Sequence, residues 1–104
     1  MFSENRKFHF IGELTLKRSR VLDEQYQPKD DTVNWLFLFT KEWHYSFIYK
    51  IENPLEAKYG KPFKAEIAFT AIETVAKIIK LNHTYEVLRG QESVGTIKLL
   101  SALS

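Results

Sequence analysis

Cysteine is absent from this chain. Its absence excludes disulfide staples, thiolate metal sites and a cysteine nucleophile, and fits a reducing compartment. Glycine is scarce, with four residues. None stands in a GxxxxGK(S/T) loop, so no backbone cradle for a nucleotide is expected. Nor is there a GxSxG elbow to expose a serine nucleophile. Long apolar runs are also missing. The longest, Trp35 to Phe39, is far too short to cross a bilayer. The N-terminal MFSENRKFHF contains no stretch that reads as a signal peptide. Neither sign of charge dominates. A net charge of +2 is well short of the basic footprint that nucleic-acid binding leaves. These absences lead us to expect a cytoplasmic protein without membrane contact, nucleotide, metal or other cofactor.

What is present is an ordinary globular composition, 44% hydrophobic with 14% aromatic residues, which sets the chain apart from disordered sequences. A single domain is the default for 104 residues. Met1 to Lys7 is polar and reads as a frayed tail. From Phe8 the parity is clean. Phe8, Phe10, Gly12, Leu14 and Leu16 share one face, and His9, Ile11, Glu13, Thr15 and Lys17 share the other. Such alternation marks a half-buried strand. Lys17 to Thr32 is a polar connection, basic at its start and acidic later. A loop of this length inside a compact domain is often functional or mobile.

Val33 to Thr40, VNWLFLFT, is apolar on both faces. Trp35, Phe37 and Phe39 lie on one side and Leu36 and Leu38 on the other, so both sides need cover, the second from a loop, helix or partner. Lys41-Glu42 is a turn candidate. Tyr45, Phe47, Tyr49 and Ile51 then alternate against Ser46, Ile48 and Lys50, completing an aromatic-rich hairpin. Its rings are expected to fill the core, since aromatics dominate burial energy. Glu52 to Phe63 holds two prolines and Gly60 and reads as loop. Lys64 to Thr70, KAEIAFT, returns to alternation, with Ala65, Ile67 and Phe69 inward.

The period then changes. Ile72, Val75, Ala76 and Ile79 predict a short helix over Ala71 to Ile78. Thr70 and Glu73 match a capping box, and Glu73 and Lys77 an i,i+4 pair. Asn82 suits a left-handed turn position. The last segment, YEVLRGQESVGTIKLL, reads as strand, a turn over Gly90 to Ser93, and a returning strand from Val94. Gly95 inside that strand predicts a bulge or a close backbone approach. Six short strands joined by turns favour closure, which removes exposed edges. The expected fold class is all-β: a closed six-stranded antiparallel β-barrel, with one short helix between the fourth strand and the C-terminal hairpin.

From Lys64 onward the motifs are the strand KAEIAFT, a connector, Tyr85-Glu86-Val87-Leu88, the turn glycine Gly90 and Val94-Gly95. This order resembles the C-terminal β-barrel of elongation factor Tu and related translation GTPases. The resemblance implies a six-stranded antiparallel barrel without catalytic chemistry that contacts tRNA stems and protein partners. Gln91 and Glu92 stand where that family has a second turn glycine and a basic residue, which weakens any carry-over of RNA contact.

The histidines are His9, His44 and His83. No two have metal-ligand spacing, and a hydrogen-bonded or solvated role is expected for them. No catalytic residues are assigned. Two binding classes remain. The first is a protein-binding module, of the inhibitor or immunity type that neutralises a toxin. The acidic part of the long loop, Asp23, Glu24, Asp30 and Asp31, would face a basic partner. The apolar second face of Val33 to Thr40 offers another contact. The second class is an RNA-binding, translation-related module using Lys17, Arg18, Arg20, Lys61, Lys64 and Arg89. The small net charge and Glu92 favour the first.

Overall fold

Alternation along Phe10 to Leu16 builds the first strand, β1, whose side chains are by turns buried and half-buried along its whole length. The computed structural model describes residues 8–17, 31–40 and 43–103. The polar tail Met1 to Lys7, most of the charged connection and the turn Lys41-Glu42 lie outside the described residues. After β1 come β2 (Asp31–Thr40), β3 (Trp43–Ile51), a single 3-10 turn (Pro54–Glu56), β4 (Phe63–Phe69), α1 (Ile72–Ile78), β5 (Thr84–Arg89) and β6 (Glu92–Ala102). Among the described residues six strands close into an antiparallel barrel in the order β1-β4-β3-β2-β5-β6. The expected fold class is the observed one. Among the described residues no helix is long and apolar enough to cross a membrane.

The interior is apolar. Leu14, Leu16, Leu38, Phe47, Ile67, Phe69, Val87, Val94, Ile97 and Leu99 are almost wholly buried. A chain of ring contacts crosses this core. Phe10 meets Phe69 edge-on with centroids 6.0 Å apart, Phe69 meets Phe47 at 5.8 Å, Phe47 meets Tyr49 at 6.4 Å, and Tyr49 meets Phe63 at 6.5 Å. Offset and edge contacts in this range add about 0.5–1.5 kcal/mol each beyond area burial. Gly12 leaves space beside them: a Cβ there would lie 3.0 Å from Ile67 Cγ1 and 3.3 Å from Leu99 Cδ2.

The expectation that both hairpin strands send their rings inward holds for β3 and fails for β2. In β2 the buried core residues are Leu36 and Leu38, while Phe37 and Phe39 are half-buried on the outer side. The pairs Leu36↔Phe47 and Leu38↔Tyr45 put leucine opposite ring in the same layers. A barrel this small has little room for more aromatics once β1, β3 and β4 have supplied theirs.

Two local readings also change. Thr70 does not cap α1. Its amide donates to Ser46 O, and its Oγ1 accepts from Ser46 Oγ at 3.0 Å, so the β3–β4 ladder holds it. Ala71 takes the cap position without a side-chain bond. The helix runs Ile72–Ile78, with Val75 buried and Ile72 and Ile79 packed on the core, while Ala76 faces solvent. The terminal turn is tighter than expected. Arg89 pairs directly with Glu92, leaving Gly90-Gln91 as a two-residue loop with Gly90 at φ 62. Asn82 has φ 63, as expected for it, and its amide donates to Leu99 O.

Gly95 is where strands crowd most. It pairs with Leu16 on one side and Val87 on the other, beside a register shift in β6. Its φ is +153, and a Cβ would collide with the Thr15 carbonyl oxygen. Strain and overpacking together predict that Gly95→Ala costs at least about 3 kcal/mol. Gly90→Ala, with open space around it, should cost only about 1 kcal/mol for its left-handed backbone. Urea unfolding of both variants measures the difference; equal losses would contradict the close approach.

Candidate functional site

Of the outward rows of side chains around the barrel, two adjacent ones cross β2 and β5. One runs Thr15, Thr96, Glu86, Phe39, His44 across β1, β6, β5, β2 and β3. The next runs Thr70, Ser46, Phe37, Leu88, Ser93 across β4, β3, β2, β5 and β6. Neither row contains Lys or Arg. Opposite residues on one face bring their Cβ atoms within about 4.5–5.5 Å, so each row is a continuous surface.

Aromatic rings occupy one end of these rows. His44 lies 5.0 Å from Phe39 in a tilted contact and 6.3 Å from Phe37 edge-on. Trp43, which pairs with Thr40 at the end of the hairpin, is 63% exposed but shares the parity of Tyr45 and Phe47, so it stands at the barrel's rim and not in this cluster. Leu88, Ile48 and Ala68 add buried apolar surface outside the interior cluster. A contiguous aromatic patch on a sheet's outer face is the kind of surface that marks an interaction site.

At the other end is an open groove of about 360 Å³ over β1, β6 and β5. Thr15, Thr84, Ser93 and Thr96 line it, with Glu86 towards the rings and Lys17 beside Val94 at the far end. A second concavity, about 420 Å³, is bordered by Glu13, Glu52, Asn53, Glu56 and Lys64. Two of its carboxylates have a described partner. Asn53 Nδ2 donates to Glu56 Oε2 at 3.1 Å, and Lys98 Nζ sits 4.0 Å from Glu13 Oε1.

The histidines divide by role. Half-buried His9 is held in the fold: its Nδ1 accepts from the Phe69 amide at 3.0 Å, its amide donates to Ile67 O, and its carbonyl accepts from Leu103 N. His44 belongs to the ring patch. His83 is exposed, 5.8 Å from the Tyr85 ring. Among the described residues no three His, Cys, Asp or Glu side chains group as metal ligands.

The charged candidates read from sequence do not form one surface among the described residues. Arg18, Arg20, Asp23, Glu24 and Asp30 lie outside those residues. Asp31 opens β2 opposite Tyr49. Lys61 is exposed in the loop before β4, and Lys64 is exposed opposite Glu13. Arg89 is half-buried at the end of β5, whereas Lys64 shares its row with Glu13, Lys98 and Thr84 at the start of that strand. The residues that do converge on the outer face are Phe37, Phe39, His44 and Glu86. The one trace of them in the sequence is the two-sided apolarity of VNWLFLFT; Glu86 carries no such signal.

Comparisons with protein-family models, with curated proteins and with solved structures return no significant match.

The exposed hairpin end makes an optical prediction. In a Trp35→Phe background, Trp43 is the remaining indole. Its emission should be red-shifted and readily quenched by acrylamide in the folded protein. Blue-shifted, protected emission would place Trp43 under cover.

Proposed function

We propose that this barrel is a non-catalytic protein-binding module acting in the cytoplasm, of the inhibitor or immunity type that neutralises a partner toxin. The observation that carries this reading is the outward ring cluster Phe37, Phe39 and His44, in rows free of Lys and Arg. Hydrophobic burial with aromatic anchors suits a protein surface. Phosphate recognition needs cations at the contact, and Glu86 stands there instead.

RNA binding is the second reading. Exposed rings can stack bases without reading sequence, and the resemblance of the C-terminal hairpin to translation-factor barrels points the same way. The two readings differ in salt dependence. Neutralising several phosphates makes affinity fall steeply, by about 10³–10⁵ between ~50 and ~200 mM salt for a large contact. An apolar protein contact changes far less.

Tagged protein and a Phe39→Ser/His44→Ser double variant should be used to capture partners from lysate at both salt levels, with and without RNase. The expected result is a discrete protein retained at high salt, insensitive to RNase and lost in the double variant. Recovery of RNA alone, released by salt, would remove the protein-binding reading. Circular dichroism of the double variant checks that it stays folded, since Phe39 is half-buried and its loss costs some stability.

A further inference from the structure

The ring patch and the groove meet at one charged residue. Glu86 is exposed, and among the described residues no ion pair reaches it. Its register neighbours are Phe39 on one side and Thr96 on the other. An unpaired carboxylate beside an aromatic face attracts cations twice over, by charge and through the ring quadrupole. It repels phosphates for the same reason. The hydroxyls of Thr84, Thr96 and Ser93 in the adjoining groove add acceptors for N–H donors. The groove's volume of about 360 Å³ is at the small end of ligand sites, sized for side chains.

We infer that the partner of this surface is a protein segment presenting an arginine or lysine flanked by apolar residues, with its cationic end on Glu86 and its stem along Phe39. This rests on the protein-binding reading above and adds the chemistry of the partner. Arginine fits better than lysine, because its planar group both stacks on a ring and forks onto a carboxylate. Lys17 gives the surface a direction. It sits at the groove end away from the rings and disfavours a second cation there. The partner's apolar residues therefore lie towards Phe37 and His44. The acidic concavity near Glu13 and Glu56 is a poorer match, since Lys64 and Lys98 already stand among its carboxylates.

The test uses the full chain, isotope-labelled, in NMR titrations with three probes. These are the peptide acetyl-Val-Leu-Arg-Leu-Val-amide, the same peptide with Glu replacing Arg, and an oligouridylate. The expected result is that the Arg peptide shifts the amides of Glu86, Phe39 and Thr96. Glu86→Gln should weaken it about tenfold, the scale of a lost charge-assisted contact, while Glu13→Gln leaves it unchanged. If both peptides bind equally and Glu86→Gln has no effect, the inference fails while protein binding through the rings survives. If the oligouridylate shifts these amides and the Arg peptide does not, both readings fail. Shifts at the same amides that grow with protein concentration alone would assign the surface to a second copy of this chain and overturn the inference.

Discussion

The register of β2 is the constraint on which the rest depends. Its apolar residues occupy both faces, so one position of slip would exchange Leu36 and Leu38 for Phe37 and Phe39 inside the barrel. What decides between them is volume. Phe10, Phe47, Tyr49, Phe63 and Phe69 already span the core through contiguous ring contacts. Two further rings would overpack an interior whose neighbours cannot yield. The leucines go in, opposite Phe47 and Tyr45, and the phenylalanines are left outside. An excess of aromatic residues thus becomes a surface feature.

The same register links surface to function. β2 lies between β3 and β5, so its outward rings touch His44 on one side and stand beside Glu86 and Leu88 on the other. Gly95 holds β6 close to β1, which extends the rows to Thr15 and forms the groove. A partner would find an apolar anchor region, a carboxylate and a shallow, mostly apolar trough in line, all on rigid strands. Sites placed on strands hold their geometry better than sites on loops.

Much of this was legible in the chain, and the exceptions have physical causes. β1 is half-exposed, so its parity states its orientation. Gly95 and Asn82 announce backbone positions that other residues occupy only at a cost. β2 gave no such answer, because two apolar faces leave parity mute about which is inner; only its pairing with Phe47 and Leu88 resolves it. The capping box at Thr70 failed because a ladder partner, Ser46, lies far away in sequence and competes for the same side chain. Glu86 looked like any solvated strand residue, since its significance comes from neighbours on two other strands. The charged candidates were chosen by local composition, which says nothing about how strands bring side chains together.

The most direct test is a residue-by-residue reading of which phenylalanines meet water. With fluorophenylalanine incorporated throughout and each resonance assigned by substitution, a soluble paramagnetic agent should broaden Phe37 and Phe39 strongly. Phe10, Phe47, Phe63 and Phe69 should remain sharp. Protection of Phe37 and Phe39 equal to that of Phe47 would mean that the β2 rings are covered or turned inward, and the outward aromatic surface would not exist.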